Sequence, residues 1–155
     1  GKGGAVMTTC PVCDTKLPIK GKPRSYDQHK RFFAMCLAAY HHWPEQHEEQ
    51  FSNAEDCRKY LTMKAGWRDI ASKVTLSGIR EDKAILLATA VLSGLPKNLY
   101  ARPVLHKGQL IVWVPRSISY ATMPHLEFCA LSDAVAEVSE AETGIKVEDM
   151  MQVAA

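Results

Sequence analysis

The chain has 155 residues, 46% of them hydrophobic and 23% charged, with a formal net charge of +2. That length suits one domain able to bury roughly two thirds of the surface its unfolded chain exposes, so a second independent core is not expected. The composition is far from that of disordered chains, and the longest apolar stretch, 84–92, is about half of what crosses a bilayer, so neither disorder nor a membrane or secretory signal is expected.

In chain order, residues 1–6, GKGGAV, have the small-residue look of an expression scar, and Met7 reads as the native start. Residues 7–24 hold a CPVC turn and a basic arm that Pro18, Gly21 and Pro23 restrict to a short extended segment. Residues 25–146 are expected to form a single α+β domain, and 147–155 a C-terminal tail. Within the domain, Ser25 or Asp27 caps a helix running to about 42, with Phe33, Leu37 and Tyr40 on one face and Phe32, Cys36 and Ala39 beside them. Pro44 ends it. Ser52 and Glu55 make a capping-box pattern opening a second helix whose Ala54, Cys57, Leu61 and Ala65 recur at three- and four-residue steps before Gly66.

Weak alternation over 67–76 fits a strand. The high helix propensity of 81–92 predicts a helix with Ile85, Leu86, Ala88 and Leu92 on its apolar face. Runs at 99–105 and 109–114, joined through His106, Lys107 and Gly108, are the clearest hairpin signal. A last helix opens near Pro124, with Phe128, Leu131, Val135 and Val138 at core spacing until Gly144. The predicted fold is therefore α+β, with three or four helices packed on a small antiparallel sheet that has a central hairpin. Five cysteines is an odd number, and Cys36, Cys57 and Cys129 fall in helical stretches, which points to a reducing, cytoplasmic compartment with those three thiols buried.

Charge is unevenly spread. Six lysines and arginines between 16 and 31 face Asp27 alone, whereas from 117 onward Lys146 faces seven carboxylates. The basic stretch, Lys20, Lys22, Arg24, Lys30 and Arg31, is interleaved with Tyr26, Phe32 and Phe33. Cations beside aromatic rings suit a single nucleic-acid strand, whose phosphates need charge and whose bases need stacking faces. Tyr26 is the more exposed aromatic candidate.

Cys10 and Cys13 have the spacing of a zinc knuckle, two thiolates clasping one side of a tetrahedral structural ion. The remaining ligands would come from His41 or His42 with His47, or from the same motif in a second subunit. His41, His42 and His47 with Glu45, Glu48 and Glu49 also admit a nuclease-like metal site, against the simpler reading of a polar helix end. Ser117 and Ser119 with His106 or His125 lack a nucleophile elbow, and the chain has neither a phosphate loop nor a dinucleotide fingerprint. A binder of macromolecules, not an enzyme, is the expected class.

Three segments, PRSYDQHKRFFAMCLAAYHHWPE from Pro23, SNAEDCRKYLTMKAGW from Ser52 and RSISYATMPHLEFCALSDAV from Arg116, together resemble a family of small tailed-phage proteins of unassigned function. More distantly, the order is similar to the NinB or Orf family of lambdoid phage recombination proteins, in which an Arg-Ser-x-Asp-Gln element opens the first long helix. Here that element is Arg24, Ser25, Asp27 and Gln28, and a second matching run is Ser117, Ser119, Met123, Glu127 and Phe128. The resemblance covers about half of the chain. The CPVC start has no counterpart in it, and 73–95 looks like an added or altered segment. It implies a homodimeric α+β protein, without a catalytic centre, that binds single-stranded DNA and assists strand-exchange loading. The sequence reading is thus a phage recombination accessory that meets single-stranded DNA, or the host protein coating it, through the basic N-terminal half. The alternatives are an inhibitor of a host DNA-metabolism protein acting through the acidic C-terminal helix at Glu127, Asp133, Glu137 and Glu140, and a metal-dependent nuclease.

Overall fold

The computed structural model describes residues 7–9, 16–18, 26–119 and 122–154. They form helices α1 (Tyr26–His41), α2 (Ala54–Lys64), α3 (Glu81–Ser93), α4 (His125–Thr143) and α5 (Val147–Ala154), with strands β1 (Met7–Thr9), β2 (Lys16–Pro18), β3 (Arg68–Thr75), β4 (Arg102–His106) and β5 (Gln109–Pro115). The class is α+β, as expected. Over the span expected as a single domain, the fold divides into two compact units, Gly1–Leu61 with Ser117–Ala155, and Thr62–Arg116.

In the first unit α1 packs against α5 and α4. Phe32 and Phe128, both fully buried, meet edge to face with centroids 5.1 Å apart, an arrangement that suits the ring quadrupoles. The buried stripe of α1 is Phe32, Met35, Cys36, Ala38 and Ala39. This corrects the expected face: Leu37 is exposed because the stripe is set by the 32, 35/36, 39 rows and not by 33, 37, 40. The α2 cap is also corrected. The Asp56 amide donates to Asn53 Oδ1 at 2.9 Å, so asparagine, as good an N-cap as serine, takes the place expected of Ser52. Glu55 pairs instead with Arg58, one turn on, at 2.9 Å. On α4, Phe128, Leu131 and Val135 are buried as their spacing required. Gly144 then turns left-handed, φ 74°, and its amide closes on Glu140. Residues expected as a tail instead form α5, whose Met150 is fully buried. An eight-residue helix is too short to hold itself, and that buried side chain supplies the missing stabilisation. In sequence, β1 and β2 flank the CPVC motif and pair antiparallel, Met7 opposite Pro18.

The second unit is a three-stranded antiparallel sheet, order β3-β5-β4, with α3 on one face. The β4–β5 hairpin has a two-residue turn, Lys107 and Gly108, at φ 47° and 71°. Two consecutive positive φ values match the right-handed twist of the strands, which is why glycine sits in the second place. The α3 contact is made by Ala84 with Leu76 and Leu110, and by Leu87 and Ala88 around them. Ile85 and Leu86, expected on that face, are exposed instead. A helix apolar on nearly every side gives no unique face from periodicity, and the small Ala84 is what lets it approach the sheet closely.

Candidate nucleic-acid interface

Of the expected nucleic-acid residues, Lys20, Lys22 and Arg24 lie outside the described residues, as do Cys10 and Cys13. Tyr26, Lys30 and Arg31 are all exposed at the opening of α1, Tyr26 at 69%. Lys30 is four residues beyond Tyr26, so the two share a helix face, and its Nζ stands 5.1 Å from the ring centroid. Phe32 and Phe33 do not join them. Phe32 is core, and Phe33 meets the His29 ring at a tilt with centroids 4.6 Å apart and lies under the Arg58 guanidinium at 5.5 Å. The exposed end of α1 thus offers one aromatic face and two cations.

The histidines expected as metal ligands each have their own surroundings. His41 is exposed, and His42 Nδ1 lies 2.9 Å from the Ala38 carbonyl, which accepts its proton. His47 accepts the Glu49 amide at Nδ1, 3.0 Å, which leaves its proton on Nε2, and there it donates to Glu142 on α4. Both ring nitrogens are therefore occupied, Nδ1 within the loop after α1 and Nε2 in tying that loop to the end of α4. Around them Trp43, Phe51 and Tyr60 form an aromatic cluster, with centroids 4.9 and 5.7 Å from Trp43, and the Tyr60 hydroxyl donates to Glu142 at 3.4 Å. Burial first, and the Glu142 charge next, push the Tyr60 phenol well above its ordinary range. Glu45 and Glu48 are exposed. Among the described residues no three His, Cys, Asp or Glu side chains converge on a point that would hold a metal ion.

No family model, curated protein or solved structure matches the chain.

On the acidic side, Asp133 and Glu137 are exposed one turn apart on α4, and Glu148 and Asp149 are exposed on α5, while Glu127 and Glu140 are half-buried. Ser117 and Ser119 are turn residues: Ser119 Oγ and Thr122 Oγ1 are 2.9 Å apart, and the Ser119 carbonyl accepts the Met123 amide. His125 is buried beside Cys129, 3.1 Å from its sulfur.

Two features had no counterpart in the sequence reading. The first is the His47, Glu142 and Tyr60 linkage, which joins residues 95 positions apart and leaves no local pattern. The second is a pair of cation–ring contacts on the sheet. Arg68 lies over the Trp113 ring at 4.3 Å, and Arg102 over the Tyr100 ring at 3.8 Å. The signal for it was the alternation along β3, which the bulge at Ala71 interrupts, so that Arg68, Ile70 and Lys73 fall out of strict period two.

Proposed function

We propose that the chain is a DNA-recombination accessory protein of a tailed phage, which binds single-stranded DNA through the basic opening of α1. It works as a homodimer in the cytoplasm of the bacterial host, with zinc held by Cys10 and Cys13 as a structural ion. The observation that carries this reading is the exposed pair of Tyr26 and Lys30, with Arg31 next along the helix: a base has a ring to stack on and its phosphate has a cation one turn away and a second adjoining it in sequence. The Arg-Ser-x-Asp-Gln element that opens this helix supports the phage assignment. Fluorescence anisotropy with single- and double-stranded oligonucleotides at two salt concentrations tests it. Single strands are expected to bind more tightly and to weaken as salt rises, because contacts to phosphate release counterions.

A second reading is kept by the exposed carboxylates Asp133 and Glu137 on α4 and Glu148 and Asp149 on α5. In it the chain is a phage protein that inhibits a host DNA-metabolism factor through an acidic surface. If no oligonucleotide binds even at low salt, direct DNA binding is wrong and this reading leads.

A further inference from the structure

The net charge of +2 averages two unlike parts. Residues 62–116 hold nine lysines and arginines against Asp69, Glu81 and Asp82, while the rest of the chain holds ten against fourteen carboxylates. The basic excess of the second unit is set out by its strand register. Ile70, Trp113 and Arg102 pair across the three strands, and Lys73, Ile111 and Val104 form the next rung. Directly paired residues share a face of the sheet. The α3 contact uses Leu110 and Val74, which lie on the opposite face by alternation, so Arg68, Lys73, Arg102 and Trp113 all point away from α3. On this outward face Ile70 and Val104 are about half exposed and Arg68 and Lys73 are exposed. Asp69, the one carboxylate in these strands, turns to the other face and pairs with Arg116 at 3.3 Å.

We infer that this outward face of the β3-β5-β4 sheet is a docking surface for single-stranded DNA, with the Arg68 guanidinium over the Trp113 ring at its centre. Its chemistry selects that ligand. A guanidinium lying over an indole, 4.3 Å from its ring centroid, has a π-face to offer a base and a fork of N–H groups to offer a phosphate, while Ile70 and Val104 offer apolar contact to base and sugar. Lys73 and Arg102 lie on either side to neutralise the backbone. A duplex keeps its base faces stacked inside and leaves the guanidinium plane unmatched, whereas a splayed strand offers both phosphates and base faces. The choice of DNA over RNA rests on the function proposed above; the surface itself is set by the residues of the sheet.

The test is anisotropy titration of the full chain with labelled oligo(dT) over a salt series. Replacing Arg68 and Lys73 together with Ala lowers the salt slope by about 1.4, two phosphates at roughly 0.7 each for a single strand. Trp113→Leu weakens binding by about tenfold with the slope unchanged, since stacking releases no counterions. Circular dichroism melting confirms that each variant is folded; should Trp113→Leu fail there, the Arg68 and Lys73 double variant, whose side chains are exposed, decides alone. Unchanged affinity and slope in that variant, with binding abolished in Tyr26→Ala and Lys30→Ala, overturns the sheet surface and leaves the α1 reading standing. The converse result overturns α1 and keeps the sheet. Poly-glutamate displacing oligo(dT) as well as unlabelled oligo(dT) does would assign the face to an acidic protein, and tighter binding of oligo(U) would assign it to RNA; either overturns the inference.

Discussion

Tyr26 and Lys30 sit side by side but act by different physics, and that separates them in an experiment. Tyr26→Ala is expected to cost about 1–3 kcal/mol of single-strand binding with no change in salt slope, whereas Arg24→Ala with Lys30→Ala is expected to lower the slope by roughly 0.7 for each phosphate no longer neutralised. A slope change on Tyr26→Ala would mean that the ring only positions the Lys30 ammonium. The buried thiols give a second residue-scale prediction. Burial pushes Cys57 from 9.0 up to about 12 and drives Cys36 higher still. Folding thus favours the protonated thiol, so the associated stability is fully present below 9.0 and is lost as pH rises towards about 12. Urea melts across that alkaline window should show the midpoint falling, and a thiol reagent at neutral pH should label neither cysteine until the protein unfolds. Labelling of native Cys57 would show that the first unit opens locally. The burial of all three helical cysteines was legible from their positions in apolar stretches. The partnership of His47 with Glu142 was not, because nothing in a sequence marks which of six histidines meets a carboxylate 95 residues away.

At the scale of elements, α4 shows what periodicity reads well. Phe128, Leu131 and Val135 recur at three- and four-residue steps, and all three are buried. Leu131→Ala should therefore cost about 2–5 kcal/mol of stability, measured by urea unfolding, and a change near zero would place α4 at the periphery. Met150→Ala in α5 is expected to cost a similar amount, since its side chain is fully buried and α5 is the principal partner of α1. A neutral result there would return residues 147–154 to the status of a tail. That helix was illegible because two turns are too few for periodicity to rise above chance, and what holds it is its packing against α1 and α4. On α3 the pattern failed for the opposite reason: Ala84, Ile85, Leu86, Leu87 and Ala88 are apolar in succession, so every face qualifies and only the sheet chooses Ala84, Leu87 and Ala88.

For the whole molecule, the zinc and the dimer are one question. If Cys10 and Cys13 clasp zinc, elemental analysis of protein purified without added metal should find it and Cys10→Ser should remove it, with half an equivalent per chain marking a site shared across a dimer. Metal-free protein with an unchanged melting temperature sinks the knuckle. Length, composition and the alternation of helical and strand-like runs were enough to establish an α+β chain with a β4–β5 hairpin, because helix and strand periods, and the two-residue turn with Gly108, are local properties. Charge asymmetry was also legible along the chain, but only as a count. Which cations share a surface was decided by strand register: a single bulge at Ala71 and the order β3-β5-β4 bring Arg68, Lys73, Arg102 and Trp113 to one face, from positions up to 45 residues apart. A one-residue slip would have sent half of them to the other side, and pairing energies between distant strands, not any local preference, settle that choice.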